Sequence, residues 1–233
     1  MVSIRLPFIE TRVQNTLKVA ALTLMLVDHV HLVFFHRSLV WLYWLTRLVL
    51  PMFMLIAAQN LERYHARPLK YLAQLVGFGV LAQPFYFMVF GFAQLNIMFT
   101  IAAGVAVYAL LAWSKTRLHW SLRLLAMAGL IFIPFPLEAG WAGVIAVPVF
   151  AALMRRGAWW DWLLALVISL TIVAGTAPWF VTVAALPIWL LAAQIPAKFT
   201  QAKSQKPARW TQWASYGFYP LHLTVIALIS RMG

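Results

Sequence analysis

The sequence contains no cysteine and has very few charged residues. Of its 233 residues, 10% are charged and only five are acidic. A soluble domain usually carries about 25% charged residues, so this chain would not dissolve as a monomer. Without cysteine there is no disulfide framework, thiolate metal site or cysteine nucleophile, and no metal ion is predicted. These absences favour a membrane protein.

Long apolar runs occupy most of the chain. Hydrophobic residues make up 64% of it, and a bilayer-spanning helix needs roughly 17 to 25 of them in succession. Candidate spans cover residues 17–35, 40–60, 69–90, 95–113, 118–135, 140–154, 160–175, 178–195 and 213–230. The prediction is therefore an all-α, polytopic membrane helical bundle of about nine transmembrane helices, with eight or ten as alternatives.

The ends of the chain and one loop complete the expected organisation. Residues 1–15 are interpreted as a cytosolic or interfacial arm, and 16–233 as a single integral-membrane domain. The first apolar run is too long for a cleavable signal peptide, and no small-residue cleavage site closes it. A basic cytosolic loop is expected at 196–212, of which 196–209 is polar and bounded by proline.

The basic residues are distributed unevenly between alternate loops. Lysine and arginine number 18, and fifteen of them lie in one set of loops together with the N-terminal arm. The positive-inside rule then places the N-terminus in the cytosol and the C-terminus outside, in the periplasm. This partition explains the high isoelectric point without nucleic acid as a partner. Part of the charge is expected to attract anionic phospholipid head groups.

A few polar residues lie inside apolar spans, beginning with the run VDHVH at 27–31. Asp28, His29, Gln83, Tyr86, Arg47, Asn96 and His222 all fall in the predicted outer half of the bilayer. Each ionised group at mid-bilayer costs at least ~2.5–3.5 kcal/mol, so Asp28 and Arg47 are expected to face one another in a polar chamber. The alternative is a buried ion pair that only fixes how the helices pack.

The order of several segments resembles the TraX family, the membrane-embedded pilin N-acetylases of conjugative plasmids, which are distantly akin to acyltransferase-3 enzymes. The similarity covers residues 16 to 230. It is carried by LKVAALTLMLVDHVHLVF, RLVLPMFMLIAAQNLER, AQPFY, LNIMFT, AGWAGV and FYPLHLTVIAL, in that order. Its most specific parts are Asp28-His29 after Leu17-Lys18, Arg47 with Pro51 and Phe53, and Tyr219 with His222.

The resemblance implies an enzyme of the bacterial inner membrane that transfers acetyl from acetyl-CoA to the N-terminal amine of a pilin subunit. His29 is the candidate base, and Asp28 either stabilises its imidazolium or binds Arg47 or His31. Arg47 and Asn96 are candidates for stabilising the oxyanion. His222 and Tyr219 are expected to protonate the leaving thiolate or to seat the amine. Direct transfer and an acetyl-histidine intermediate both stay open.

The CoA phosphates are expected at basic cytosolic loops, although membrane topology alone also explains basic residues there. The candidates are Arg63, Arg67, Lys70, Lys115, Arg117, Arg155 and Arg156. Two other functions fit buried Asp, Arg and His: a small proton-coupled transporter, or a non-catalytic membrane protein of pilus assembly. The pilin, the acyl chain length and the oligomeric state are left open by the sequence.

Overall fold

The fold is built from helices. A computed structural model describes residues 3–63, 67–91, 94–112, 121, 124, 128, 137–172, 178, 181, 183–195 and 209–232, with the backbone alone for 209–212. The helices bounded within these ranges are α1 Thr11–Phe35, α2 Val40–Thr46, α3 Val49–Glu62, α4 Pro68–Phe90, α5 Ile97–Ala112, α6 Gly140–Arg155, α7 Trp159–Thr171, α8 Ala185–Ala193 and α9 Arg209–Ile229.

Several of these helices suit a bilayer. Three stretches are long and apolar enough to cross a membrane: α1, α2 together with α3, and α4. Shorter apolar helices include α5, α6, α7 and most of α9. Large apolar side chains also point outward; Leu221, for example, is 64% exposed. The molecule is therefore a helical membrane protein, whereas the number of crossings and their orientation stay predictions. The predicted cytosolic side is called the inner side below.

Most predicted spans coincide with a helix, and the differences have local causes. The first helix begins at Thr11 rather than at 17, since Thr11 and Val13 are already buried against the bundle. The predicted span 178–195 contains the shorter helix α8. The predicted span 118–135 and the loop 196–212 lie largely outside the described residues.

The predicted span 40–60 is interrupted at Arg47. Helix α2 ends at Thr46, and α3 begins at Val49. Pro51 explains the break, because it has no N–H to donate to the carbonyl of Arg47, four residues earlier. The break places Arg47 between two helices, where its side chain turns toward α1.

Six helices form a closed ring. Helix α1 packs on α3, α3 on α6, α6 on α5, α5 on α4, α4 on α9, and α9 on α1. Gly143 permits the close approach of α5 and α6, since an added Cβ would lie 2.6 Å from the Thr100 side chain. Gly140 starts α6 with a φ of 54°. The ring surrounds the polar side chains described in the next subsection.

Residues 3–10 form an extended arm across the inner ends of the helices. Leu6 and Ile9 are 1% and 0% exposed, and the arm carbonyls of Ile4 and Pro7 accept the indole N–H groups of Trp162 and Trp189. Gln59 on α3 completes the attachment, because its side chain both accepts from the Ile9 N–H at 2.8 Å and donates to the Ile9 carbonyl at 3.1 Å. The arm thus joins α3, α7 and α8.

Candidate functional site

Two neighbouring cavities lie inside the ring. The inner cavity has a volume of about 420 Å³ and extends from the basic residues Arg67 and Lys70 to Tyr219. The outer cavity has a volume of about 110 Å³ and is bordered by Asp28, Arg47 and further polar residues. Met25 and Ile97 line both of them. The cavities therefore adjoin each other in the middle of the bundle.

One stripe of α1 borders both cavities. Gln14, Lys18, Leu22 and Met25 face the inner cavity, and His29 faces the outer one. Steps of four, four, three and four residues keep these side chains on one face of a helix. The polar residues of α1 thus lie where the helix lines a cavity. This explains why Asp28 and His29 occur within an apolar helix.

Asp28 and Arg47 form the ion pair that the sequence predicts. The guanidinium contacts the carboxylate directly, and the two side chains are 16% and 19% exposed. The hydroxyl of Thr46 donates a hydrogen bond to the Asp28 carboxylate at 2.7 Å. The guanidinium also lies over the ring of Tyr43, 4.6 Å from its centroid. Asp28 is therefore engaged by α2 and the residue after it, and is not hydrogen-bonded to His29.

His29 instead pairs with His222 of α9. Nδ1 of His29 lies 2.8 Å from Nε2 of His222, whose Nδ1 lies 2.9 Å from the Phe218 carbonyl. Because a carbonyl only accepts, Nδ1 of His222 carries the hydrogen and its Nε2 is the acceptor. Nδ1 of His29 therefore donates, and in the neutral ring Nε2 keeps a lone pair. The pair holds the neutral His29 ring in a defined tautomer, with Nε2 free of a proton.

Glu138 adds a second carboxylate that the sequence analysis did not select. It precedes α6 and lines the outer cavity beside Asp28, His29 and Arg47. Desolvation by the surrounding protein raises the pKa of its carboxyl to about 7, and Arg47 opposes this rise. More than a third of the residue is nevertheless accessible, and water there weakens the effect of desolvation. Glu138 thus borders the outer cavity and is accessible to water.

Tyr219 lines the inner cavity and lies near the outer one. It is 1% exposed, and its ring centroid is 6.4 Å from that of His29, which lines the outer cavity. Its buried hydroxyl interacts with the Ile97 backbone, Glu138 and Tyr86. Tyr219 therefore connects α9 electrostatically with the carboxylate in front of α6.

Asn96 lines neither of the two cavities. It is fully buried, its amide nitrogen donates to Gly79 and Gln83 at 2.9 and 2.8 Å, and its side-chain oxygen accepts from the Met98 N–H at 3.0 Å. These bonds cap the N-terminus of α5 and join it to α4. Both amide hydrogens are thus engaged within the protein, and the oxyanion role stays a prediction.

His31 is likewise bound elsewhere than at Asp28. Its Nε2 accepts a hydrogen bond from the Leu39 N–H at 3.0 Å. This contact fixes the turn between α1 and α2. His31 therefore positions the segment that leads to Arg47.

The seven predicted phosphate-binding residues fall into three groups. Arg67 and Lys70 line the inner cavity, where Lys18 joins them. Arg63 donates to the Ile9 carbonyl, Arg156 pairs with Asp161, and Arg155 interacts electrostatically with Tyr108, all away from the cavity lining. Lys115 and Arg117 lie outside the described residues. The inner cavity thus has a basic entrance made from α1 and the start of α4.

The inner half of the bundle is more polar than the sequence suggested. The amide of Gln14 donates to Asn60 at 2.9 Å, and Tyr71 is hydrogen-bonded to Asn60 and Tyr216. All four residues line the inner cavity. The spacing of Gln14 and Lys18 on α1, four residues apart, was the available signal. The cavity walls can therefore hydrogen-bond a polar, elongated ligand.

Comparison with known proteins supports the resemblance seen in the sequence. A family model described as "TraX protein" matches residues 13–230. The chain belongs to the TraX family. This TraX-family chain is 31% identical to Protein TraX of Escherichia coli over 146 residues, which is 61% of the chain and 56% of that relative. It is 33% identical to Protein TraX of Escherichia coli strain K12 over 109 residues, 46% of the chain and 42% of the relative.

These matches cover only part of each relative. The TraX-family chain spans about half the length of the curated relatives it matches. No solved structure matches it significantly. The geometry of the two cavities is therefore described from this chain alone.

Proposed function

We propose that this protein is an acetyl-CoA-dependent N-acetyltransferase of the bacterial inner membrane that acts on the N-terminal amine of a conjugative pilin subunit. The observation that carries this proposal is the meeting of two cavities at Met25 and Ile97, beside the His29–His222 pair. A donor from the cytosol and an acceptor from the outer half of the membrane can meet there. The family resemblance supplies the identity of the donor and the acceptor.

The inner cavity suits the donor. From Gln14 to Met25, α1 rises about 17 Å at 1.5 Å per residue, which is comparable with an extended pantetheine arm. Lys18, Arg67 and Lys70 at the entrance would bind the CoA phosphates by charge-assisted hydrogen bonds. Gln14, Asn60 and the tyrosines below them would bind the amide groups of the arm. The thioester would then lie near Tyr219.

The outer cavity suits the acceptor and the proton transfer. The acceptor enters as an ammonium group, and Nε2 of His29 takes one proton from it while His222 holds the ring through Nδ1. The amine nitrogen then attacks the thioester carbonyl, so that a C–N bond forms and the C–S bond breaks. After the attack the nitrogen loses a second proton, which goes to the thiolate of CoA. The Tyr219 hydroxyl is the proposed relay for this proton. The products are the acetylamide, CoA thiol and one proton.

Mass spectrometry of co-expressed pilin tests this proposal. Cells would express the cognate membrane-inserted pilin with the unmodified protein, with His29→Asn, or with His36→Asn. His36 ends α1 with a φ of 48°, which asparagine tolerates, so it is a matched histidine control outside both cavities. We expect one added acetyl group on the pilin N-terminus with the unmodified protein and with His36→Asn, and none with His29→Asn.

The same cells separate the alternatives. Pilin that stays unacetylated beside inserted, unmodified protein would refute the transferase. Uptake of a solute into membrane vesicles that depends on a pH gradient, without any covalent product, would instead indicate a transporter.

A further inference from the structure

The loop before α6 holds Glu138 in a fixed position at the outer cavity. The backbone N–H of Glu138 donates to the Leu95 carbonyl at 3.2 Å, and Leu137 and Leu95 form a parallel bridge. Leu95 itself leads into α5 through the Asn96 cap. The backbone that carries Glu138 is therefore fixed against the residue before the α5 cap.

The charges around the outer cavity do not cancel. Asp28 has its cation in Arg47 and a further donor in Thr46. Glu138, in contrast, has no salt bridge within the described part of the chain, although it senses the charges of Arg47 and Asp28. Asp28, Glu138 and Arg47 together leave one negative charge in excess when all are ionised. An ionised Glu138 without a cation of its own attracts a positively charged group into the cavity that it borders.

We propose that Glu138 forms an ammonium-binding subsite that receives the protonated primary amine of the acceptor. This inference rests on the proposed function and names the group that recognises the acceptor end. An α-amino group has an unperturbed pKa of about 7.7–8.0 and thus arrives mostly as ammonium. It offers three N–H donors, which form charge-assisted bonds with a carboxylate. The buried Tyr219 hydroxyl, which interacts electrostatically with Glu138, supplies a second acceptor.

The subsite also fits the proton balance of the reaction. The ammonium is held by Glu138 and gives one proton to Nε2 of His29, which lines the same cavity. The neutral amine then attacks the thioester, and its next proton leaves with the CoA thiol. The proton on His29 returns to water. The carboxylate of Glu138 is unchanged at the end and serves to bind and orient the nucleophile.

Two small acetyl acceptors that differ in charge distinguish recognition of the ammonium ion from the acetyl transfer itself. Alaninamide is mostly an ammonium ion at pH 7, whereas methoxyamine is a neutral nucleophile at that pH. The purified full chain in lipid nanodiscs would be given acetyl-CoA and either acceptor, and the acetylated product measured by mass spectrometry. For Glu138→Gln we expect the KM for alaninamide to rise at least about tenfold, and the KM for methoxyamine to rise several-fold less. Glu138→Asp should restore part of the affinity.

Glu62→Gln is the matched control, because it removes the same charge from the inner end of α3, outside both cavities. Equal losses with both acceptors in Glu138→Gln, or no change with either, would overturn the ammonium subsite while leaving acetyl transfer in place. If sodium ions, at the same concentration as alaninamide, inhibited its acetylation competitively, Glu138 would be assigned to a metal cation. That result would also overturn the ammonium subsite. Failure of the unmodified protein to acetylate either amine would refute the proposed function itself.

Discussion

The ion pair between Asp28 and Arg47 allows a quantitative test of the polar chamber. In Arg47→Met the carboxylate of Asp28 keeps the Thr46 hydroxyl but loses the cation that contacts it. In Asp28→Asn the guanidinium keeps the Tyr43 ring at 4.6 Å and loses its counter-ion. The double variant removes both charges and leaves two neutral side chains of similar size.

The expected cost follows from burial. Removing one partner of a buried pair costs about 3–5 kcal/mol, because the other charge stays buried without compensation. Asp28 and Arg47 are 16% and 19% exposed, and Thr46 remains, so each single substitution should lie near 3 kcal/mol, the low end of that range. The double variant should cost less than the sum of the two, with a coupling energy of about 2 kcal/mol.

Unfolding from mixed micelles with increasing sodium dodecyl sulfate, followed by circular dichroism, would give these free energies. Arg231→Met is the control, because it makes the same substitution at an exposed arginine just beyond α9. An exposed charge contributes about 0–1 kcal/mol. If Arg47→Met cost no more than Arg231→Met, or if the effects of Asp28→Asn and Arg47→Met were additive, Asp28 and Arg47 would not share a buried chamber.

Three further substitutions test other parts of the structure. Asn96→Ala should lower the free energy of unfolding by about 1–2 kcal/mol through loss of the α5 cap, and the KM for acetyl-CoA of the folded fraction should stay constant. A large fall in kcat without loss of stability would instead support a role of Asn96 at the oxyanion. Gly157→Val should lower the melting temperature, because Gly157 has a φ of 61° and an added Cβ would lie 2.4 Å from the backbone of Arg5; an unchanged melting temperature would contradict the docking of the arm. Lys70→Ala should raise the KM for acetyl-CoA by about tenfold or more through loss of a phosphate contact, whereas Arg231→Ala should not; equal effects would place the phosphates elsewhere.

The sequence predicted those features of the site that follow from the cost of charge in a bilayer. Two opposite charges inside an apolar bundle are expected to pair, as Asp28 and Arg47 do. The apolar runs around them predicted the helices that carry them. The structure also brings His29 and His222 together, from the first and last helices. Their catalytic roles stay predictions, since geometry alone does not report a reaction.

Other features were missed because their signals are local or ambiguous. Glu138 lies in a loop, so the search within spans passed over it. Lys18 was explained by the positive-inside rule, and its place on a stripe with Gln14 became visible only with the cavity. Asn96 is polar and lies in the predicted outer half of the bilayer, but such a side chain can also hydrogen-bond the first turn of a helix, as Asn96 does in α5. Which helices pack together depends on long-range contacts that no single segment encodes.

The arm at residues 3–10 has a consequence for biosynthesis. Ile4 and Leu6 donate backbone hydrogen bonds to the carbonyls of Gly157 and Leu153, and Pro7 receives the indole of Trp189, 182 positions later in the chain. Residues 3–10 are synthesised before α8 and must therefore wait, unattached, until α8 has entered the membrane. Docking of the arm is thus a late step in the assembly of the bundle.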